Sequence, residues 1–362
     1  MRILHCIHGL SGGGAERQLS LLAPEMVRMG HDVHIAYLAS GPKPPQLEAS
    51  GVVLHLLNAR SNYDPSIFWQ LVKLMREIRP GVVQTWSKQM DVLGGLAASI
   101  TCKPRILREP NSSEAGYSLV KRWLRILTAI RKSTIVSNSA GGDALWQARI
   151  KSQTRRHIIP NAVPLKEISS APVNSLNDYG LNKMNKVILF AGNFAPRKNT
   201  FALMEAFMLV LERDDSAIAV LCGDGPLRKE LENKAKETGM IHRIVFTGYI
   251  SNLWGVMKRA NVFSLVSHYE GRPNVVLEAM ACGCPLVVSD IPAHREFLDE
   301  RCAVFVDRHD PEDIARSILH LLDNPIKARK LADAAKKKVT AWSVDSIAEE
   351  YEKVYKSVAK IK

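Results

Sequence analysis

The sequence predicts an α/β fold with two doubly wound parallel-sheet domains of the Rossmann type, facing each other across a cleft. Short runs rich in β-branched residues alternate with amphipathic helical stretches, which is the pattern of a parallel sheet covered on both faces. The alternation stops in one polar stretch and then restarts, and this break indicates two domains. A length of 362 residues leaves room for two domains of roughly 150 to 200 residues.

In the first half, helical patterns lie near residues 15–29, 65–78 and 90–100. The strand-like runs between them are "RILHCI", "DVHIAYL", "VVLHLL", "GVVQTW" and "RILRE". The polar stretch from about 165 to 185 contains Pro, Ser and Asn and is the predicted linker. We therefore place an N-terminal domain at residues 1–165.

The second half repeats the pattern, with helices near 199–213, 226–238 and 252–259 and another after Pro273. Its strand-like runs are "KVILFAG", "AIAVLCG", "RIVFTG", "VFSLVS", "PLVVSD" and "AVFVD". The second domain is placed at residues 166–340. Ligands of open parallel sheets bind beyond the carboxyl ends of the strands, so a cleft between the two halves is the expected site.

The formal net charge of +13 is concentrated in the first half of the chain. Residues 1–165 contain 21 Lys and Arg against 10 Asp and Glu, a charge of +11, whereas residues 166–362 contain 28 against 26, a charge of +2. This excess favours an anionic partner: a nucleic acid, an anionic membrane surface or a phosphorylated substrate. Charge alone does not separate these partners, and it can also simply aid solubility.

The cysteines and the N-terminus indicate a cytosol-like compartment. Six cysteines form no CxxC pair, which is typical of reduced thiols. Cys282 and Cys284 lack a second ligand pair nearby and are interpreted as packing residues, not as a zinc site. The N-terminal apolar run is short and interrupted by His5 and His8, and no window holds 18 apolar residues, so we expect neither a signal peptide nor a membrane span.

A glycine-rich turn, "HGLSGGGAERQ" at residues 8–18, separates the first strand from the first helix. Such a turn lets backbone N–H groups approach a ligand at the positive end of a helix. A nicotinamide dinucleotide is disfavoured, because the next strand ends in "HIAYLAS" without a carboxylate, and no Gly-Lys-Ser/Thr follows as in a Walker loop. The alternative is a tight turn with no ligand.

Two cations, Arg197 and Lys198, follow the first strand of the second half in "FAGNFAPRKN". At the carboxyl edge of a sheet they suit a diphosphate, Arg through its fork and Lys as a point charge. Further on, "GDGP" is a turn in which Pro226 is expected to open a helix and Asp224 either to cap that helix or to contact substrate.

Two glutamates flank a third turn, in "SHYEGRPNVVLEAMACGCPLV". Pro273 and Asn274 are expected to start a helix that ends at Gly283, so its first N–H groups can bind a phosphate or a sugar hydroxyl. Helical side chains tilt toward the N-terminus, which directs Glu278 to the same opening as Glu270. The alternative is that Glu278 only stabilises the helix dipole.

These motifs together resemble the retaining glycosyltransferases of family 4, which have the GT-B fold. The resemblance rests on E-x7-E in "EGRPNVVLE", the following "AMACGCPLVVSDIPAHREF", the "GDGP" turn and the N-terminal "GGGAE". It implies transfer from a nucleotide-sugar, most often a UDP-sugar, with retention of configuration. It also implies that a C-terminal helix, residues 341–362, crosses back to the N-terminal domain.

The resemblance assigns roles to individual residues. It implies that Lys198, with Arg197 beside it, neutralises the leaving diphosphate and that Glu270 binds ring hydroxyls of the donor sugar, and these three are the predicted catalytic residues. Glu278 would bind the ribose hydroxyls, and the loop of Gly13 and Gly14 would close over the sugar and acceptor side. The predicted substrate-binding residues are Gly13, Gly14, Gly271, Asn274, Val275 and Glu278.

The chain departs from the family pattern at two places. Asn193 stands where the family often has an arginine, so Arg197 is expected to supply that charge. "LREPNSS", with Arg108 and Glu109, stands where a histidine often guides the acceptor. No D-x-D occurs, which is consistent with transfer that uses protein cations and needs neither a metal ion nor a cofactor.

Residues 117–133, "YSLVKRWLRILTAIRKS", have the pattern of a basic amphipathic helix. Such helices lie on anionic membrane surfaces, and the alternative is a core helix with a solvated basic face. The apolar side is expected to be Leu119, Val120, Trp123, Leu124, Leu127 and Ile130. The basic side is expected to be Lys121, Arg122, Arg125, Arg131 and Lys132.

We therefore predict a glycosyltransferase that acts on a saccharide acceptor, lipid-linked, in cell-surface polysaccharide or glycolipid synthesis such as that of lipopolysaccharide. It is expected at the cytoplasmic face of the plasma membrane, as a peripheral protein. A GT-B epimerase or phosphorylase is the alternative within enzymes. A nucleic-acid-binding protein is the alternative from another class, and it is disfavoured because no RNA or DNA motif is present and aromatic content is 6%.

Overall fold

The computed structural model describes residues 1–10, 12–38, 45–62, 64–112, 119–130, 133–150, 155–174 and 176–360, with the side chains of all of these except 45, 46, 119–121 and 130. The strands, all in parallel ladders, are β1 Arg2–Ile7, β2 Asp32–Tyr37, β3 Val53–Leu56, β4 Val82–Thr85, β5 Arg105–Glu109, β6 Ser133–Ser137, β7 Arg155–Ile158, β8 Lys186–Ala191, β9 Ala217–Cys222, β10 Ile244–Gly248, β11 Val262–Leu265, β12 Leu286–Ser289 and β13 Val304–Val306.

The helices alternate with the strands. They are α1 Gly14–Arg28, α2 Pro45–Glu48, α3 Ser66–Ile78, α4 Lys88–Ile100, α5 Leu119–Ile130, α6 Ala140–Gln147, α7 Leu165–Ser170, α8 Thr200–Arg213, α9 Arg228–Glu237, α10 Leu253–Arg259, α11 Asn274–Cys282, α12 Pro292–Arg295, α13 Pro311–Asp323, α14 Pro325–Val339 and α15 Val344–Ala359. The alternation confirms the predicted fold class.

The described chain forms two compact units, and each contains one sheet. Unit 1 comprises residues 1–162 and 342–362, with strand order β3-β2-β1-β4-β5-β6-β7. Unit 2 comprises residues 163–341, with strand order β10-β9-β8-β11-β12-β13. Both orders are doubly wound, because the chain leaves the first strand to one side and later returns to its other side.

In unit 1 the sheet is covered on both faces. Alternate residues of β1 divide between two cores, with Ile3 and Ile7 on the face of α1 and α15 and Leu4 and Cys6 on the face of α3 and α4. Leu107 and Ile135 on neighbouring strands pack against Ile126 and Ala129 of α5 and against Trp146 of α6. The period of two along each strand is what lets one sheet serve two helical layers.

The C-terminal helix α15 is part of unit 1. It contacts α1, and its apolar side is buried in the core of that face. Tyr355 is fully buried, and its hydroxyl donates a hydrogen bond to Gln84 of β4. The C-terminal helix therefore covers one face of the N-terminal sheet, although the two are far apart in the sequence.

Two local predictions in the second half are wrong. The helix after the "GDGP" turn begins at Arg228, not at Pro226, and Asp224 does not cap it. The Asp224 carboxylate accepts a hydrogen bond from the N–H of Gly225 at 2.7 Å, which closes the turn itself. In addition, the structure has a helix, α7, within the stretch predicted as the linker, and this helix packs against α11.

The prediction that Arg125 lies on an exposed basic face is wrong. Its side chain is buried, and its guanidinium donates to Asp91 at 2.6 Å and to Glu109 at 2.5 Å. Among the side chains of α5 that the structure describes, the exposed ones are the apolar side chains of Trp123, Leu124 and Leu127. Outside the described residues lie residues 117 and 118, Arg131 and Lys132, and the side chains of Leu119, Val120, Lys121 and Ile130.

No helix in the part of the chain that the structure describes combines the length and the apolar character that crossing a bilayer requires.

Candidate functional site

The carboxyl edge of the unit 2 sheet brings the predicted catalytic residues together. A short 3-10 turn, Pro196–Lys198, follows β8, and Glu270 follows β11, the neighbouring strand in the sheet. Lys198 Nζ lies 2.6 Å from Glu270 Oε1, and Arg197 Nη1 lies 2.9 Å from Glu270 Oε2. Sequence reasoning placed these residues in one site, and the structure joins them in one ion-paired group.

Burial and charge set the ionisation of this group. Lys198 and Glu270 are each about 6% exposed, whereas the Arg197 side chain is 41% exposed. Burial raises the pKa of Glu270, but the charges of Lys198 and Arg197 lower it more, so the net shift is downward and the carboxylate is ionised. Two cations against one anion leave the group with a net positive charge, which suits an incoming diphosphate.

Sequence reasoning missed two polar residues behind this group. Ser267, which follows β11, donates from Oγ to Glu270 Oε1 at 2.8 Å and so helps to fix the carboxylate. His294 is fully buried, its Nδ1 lies 2.9 Å from the carbonyl oxygen of Ser289, and burial lowers its pKa. Both residues stand inside quoted motifs, Ser267 at the start of "SHYEGRPNVVLE" and His294 in "SDIPAHREF", but no role was assigned to either of them.

The helix α11 presents its N-terminus next to Glu270 in the sequence. Pro273 is the N-cap residue with an extended backbone, and its own side chain does not cap the helix. Gly283 ends the helix in the left-handed conformation at φ 73°, as predicted. The first-turn amides of Asn274 and Val275 therefore lie at the positive end of a nine-residue helix, and the N-cap residue has no side-chain oxygen to accept from them.

Glu278 lies one turn further along α11 and has a different partner. Its carboxylate accepts a hydrogen bond from the indole Nε1 of Trp254, on α10, at 3.1 Å, and it is 5% exposed. Trp254 is thus another residue of the site that sequence reasoning did not identify.

The turns after β8 and β9 approach closely. Phe194 N–H donates to the carbonyl oxygen of Asp224 at 2.9 Å, and a Cβ atom on Gly225 would lie 2.6 Å from the Phe194 nitrogen. Gly225 has φ 159° and so is near extended, and the close approach of the two backbones is what requires glycine there. Asn193, which stands where an arginine was expected, belongs to the same pair of turns.

The glycine-rich turn of unit 1 differs from a phosphate-binding loop. Gly13 is the N-cap residue of α1 and Gly14 its first residue. A Cβ atom on Gly13 would collide with the carboxylate of Glu16, which therefore lies over the positive end of the helix. Because a carboxylate of the chain already occupies this place, the turn suits a neutral hydroxyl better than a phosphate.

Arg108 and Glu109, the residues in place of the family histidine, are both engaged inside unit 1. Arg108 donates to Asn161 at 2.6 Å and to the Tyr351 hydroxyl at 3.3 Å, and its guanidinium lies 4.7 Å from the Trp86 ring centroid. Glu109 accepts hydrogen bonds from Arg125, from Trp146 Nε1 and from the N–H of Asn111. Both side chains thus have structural roles.

Two family models match nearly the whole chain. "Glycosyltransferase Family 4" matches residues 12–167, and "Glycosyl transferases group 1" matches residues 174–338. The chain belongs to the family 4 glycosyltransferases. This confirms the resemblance stated from the motifs.

Two curated relatives of this glycosyltransferase are bacterial. One is the UDP-Gal:alpha-D-GlcNAc-diphosphoundecaprenol alpha-1,3-galactosyltransferase of Escherichia coli, 22% identical over 82% of this chain and 81% of the relative. The other is the N-acetylgalactosamine-N,N'-diacetylbacillosaminyl-diphospho-undecaprenol 4-alpha-N-acetylgalactosaminyltransferase of Campylobacter jejuni, 23% identical over 94% of this chain and 96% of the relative.

Solved structures agree on the fold. The crystal structure of Anabaena Alr3699/HepE in complex with UDP and glucose matches this glycosyltransferase with a TM-score of 0.86 at 18% identity, over 99% of this chain and 100% of that chain. The fold is therefore GT-B, with two parallel-sheet α/β domains.

Proposed function

We propose that this glycosyltransferase transfers a hexosyl or N-acetylhexosaminyl group, with retention, from a UDP-sugar to a lipid-linked saccharide acceptor. The observation that carries the proposal is the group formed by Lys198, Arg197 and Glu270 beside the N-terminus of α11. The names of both relatives describe α-linked transfer to a diphosphoundecaprenol-linked sugar, and the name of the Escherichia coli enzyme gives UDP-Gal as the donor.

The charges of the site match the charges that develop in this reaction. The bond between the anomeric carbon and the diphosphate oxygen breaks, its electron pair stays on that oxygen, and the carbon becomes oxocarbenium-like. Lys198, Arg197 and the first amides of α11 stabilise the growing negative charge. The acceptor oxygen then bonds to the carbon on the same face and its proton passes to the leaving phosphate oxygen.

Each binding residue has a distinct part in this proposal. Glu270, ionised and held by Ser267, accepts hydrogen bonds from hydroxyls of the donor sugar, with Gly271 beside it. Glu278 accepts hydrogen bonds from the ribose. Gly13 and Gly14 contact the neutral saccharide. Because the two cations can neutralise the diphosphate, the proposed reaction needs no metal ion.

The first test combines nucleotide binding with the stereochemistry of the product. A ligand that binds only the folded state raises the melting temperature, so UDP should raise it more than GDP, ADP or NAD. NMR of the product should then show the anomeric configuration of the donor, with turnover unchanged in EDTA. Inversion of configuration would exclude the retaining mechanism, and a shift with NAD alone would exclude a UDP-sugar donor.

We propose further that the enzyme acts at the cytoplasmic face of the plasma membrane, as a peripheral protein of polysaccharide or glycolipid synthesis. The exposed Trp123, Leu124 and Leu127 of α5 support contact with a bilayer. Both relatives' names describe undecaprenol-linked acceptors. Leu127→Glu should lower co-sedimentation with anionic vesicles, and undiminished co-sedimentation would contradict this location.

A further inference from the structure

Three helices of unit 1 form one layer with an apolar outer surface. α4 packs against both α3 and α5, and all three cover the same face of the sheet. Large apolar side chains are exposed on each of them, at Trp69, Leu96, Ile100, Trp123, Leu124 and Leu127. Single exposed apolar residues are common, but several on one layer mark an interaction surface.

An open cavity of about 450 Å³ lies where α3 and α4 end. Three cations line it: Arg76 in the last turn of α3, Arg79 just after that helix, and Lys103 after α4. Ile100, one of the exposed apolar residues, is also part of its wall, so the cavity adjoins the apolar surface.

The backbone fixes the positions of these cations. Arg79 has φ 48° and Cys102 has φ 53°, so each of the two helix ends carries a non-glycine residue in the left-handed conformation. Arg79 N–H donates to the carbonyl oxygen of Met75 at 3.1 Å, and Lys103 N–H donates to that of Ala98 at 2.8 Å. Among the described residues, we find no ion pair of Arg76, Arg79 or Lys103.

We infer that this cavity binds the phosphate of an anionic phospholipid while the outer surface of α3, α4 and α5 lies on the bilayer. The inference rests on the membrane location proposed above and extends it from one helix to a docking surface with a headgroup site. The charge of +11 in residues 1–165 suits an anionic surface. Exposed tryptophans on the same layer of helices suit the interface between headgroups and acyl chains.

Cations at helix C-termini also favour the helix dipole, and this would explain one cation at each helix end without a ligand. It does not explain why three of them line one cavity next to exposed Ile100. A second copy of the chain is the other occupant that an apolar surface could accept. Its apolar side would leave the cations without a complementary charge, so a bilayer suits the whole surface better.

The test compares two full-length variants that lose three positive charges each. The first carries Arg76→Gln, Arg79→Asn and Lys103→Gln, with Asn chosen because it tolerates the left-handed conformation. The control carries Lys327→Gln, Arg329→Gln and Lys330→Gln, which are exposed on α14 of unit 2. At about fivefold per cation, the first variant should bind vesicles of phosphatidylcholine and phosphatidylglycerol about 100-fold more weakly, and the control should bind as the wild type does.

Separate measurements distinguish the outcomes. Brominated phosphatidylglycerol should quench wild-type tryptophan fluorescence, and Trp69→Leu with Trp123→Leu should abolish most of that quenching. Equal vesicle binding by the two triple variants would overturn the inference. If the first variant binds vesicles as the wild type does but loses the thermal shift with inorganic phosphate, the cavity is a free-phosphate site. If the protein does not bind vesicles and light scattering shows a dimer that Leu127→Glu dissociates, the apolar surface is a self-association surface. A UDP thermal shift in every variant would show that the donor site is intact, so failure of docking and failure of the proposed function are distinguishable.

Discussion

Lys198 is a buried cation whose partner in this structure is Glu270, at 2.6 Å. A bound diphosphate would compete for the same ammonium group, and its negative charge grows as the transition state forms. Lys198→Met should therefore lower kcat by about 100- to 1000-fold and change donor affinity much less. Steady-state kinetics with calorimetric titration of UDP would check the split.

Removing Lys198 also leaves a carboxylate buried beside Arg197 alone, which can destabilise the fold. The double variant Lys198→Met with Glu270→Gln removes both charges and serves as the stability control. If donor affinity falls in a folded single variant while kcat stays unchanged, Lys198 contributes ground-state binding only.

Glu278 offers a sharper comparison because Trp254 contacts the same carboxylate. Glu278→Ala should weaken UDP binding by about 1.5 to 3 kcal/mol, the range for hydrogen bonds to a charged group. Trp254→Phe removes the indole donor and keeps the carboxylate, so it should change stability more than affinity. Equal affinity losses in calorimetry of the two variants would mean that Glu278 acts through Trp254, not through the ribose.

His5 gives unit 1 a pH-dependent stability. It is fully buried, accepts a hydrogen bond from Trp86 Nε1 at Nδ1, and burial lowers its pKa from 6.5 to about 3. Below pH 6.5 the unfolded chain binds a proton there and the folded chain does not, so stability falls by about 1.4 kcal/mol per pH unit. His5→Asn keeps an acceptor without titrating and should show a shallower slope between pH 6.5 and 5 in urea unfolding. An unchanged slope would assign the acid sensitivity to other groups.

At the scale of elements, α5 inserts a buried guanidinium into unit 1 beside its apolar contacts. Arg125 pairs with Asp91 and Glu109, both nearly inaccessible, and burial raises the pKa of Asp91 although Arg125 lowers it. Arg125→Met should cost about 3 to 5 kcal/mol, because two buried carboxylates lose their cation. Urea unfolding would measure this loss.

Arg122→Met, on the same helix but only half-buried, is the matched control and should cost much less than Arg125→Met. A cost as small for Arg125 would mean that protonation of a carboxylate replaces the lost charge, and the loss should then grow as the pH rises.

The same helix shows where sequence reasoning ends. Helical periodicity located α5, but it could not decide which side faces the core, since Arg125 is buried only because Asp91 and Glu109 come from other elements. Likewise Asp224 was expected to cap α9, but its carboxylate accepts a hydrogen bond from the N–H of the next residue, Gly225, and does not cap the helix. Lys198 and Glu270 lie together because they follow neighbouring strands, whereas the hydrogen bond from Ser267 is local and was missed because no role was assigned to that residue.

At the scale of the whole molecule, strand and helix alternation was sufficient to predict two doubly wound sheets, because each element carries its own period. The association of α15 with unit 1 could not be predicted from such a period. The sequence pattern of α15 predicts an amphipathic helix but does not show which sheet the helix covers. The expectation that it returns to the N-terminal domain came from the resemblance to the family. The deletion of this helix is therefore the most direct test of how unit 1 is completed.

Deleting residues 342–362 should destabilise unit 1 and leave unit 2 folded. The deletion removes an apolar helix face from the core around Ile3 and Trp86; the buried residues of that face are Ile347, Ala348, Tyr351, Val354, Tyr355 and Val358. At about 1.5 to 3 kcal/mol for each large side chain, the loss is comparable with the whole stability of a typical domain, about 5 to 15 kcal/mol.

Hydrogen exchange by mass spectrometry should then show lost protection in residues 1–162 and retained protection in residues 163–341. Tyr355→Phe is the control, because it removes only the hydroxyl that donates to Gln84 and should cost about 1 kcal/mol. If the truncated protein keeps protection in β1 and β4, the N-terminal sheet is stable without its last helix, and α15 would then contribute to function and not to the fold.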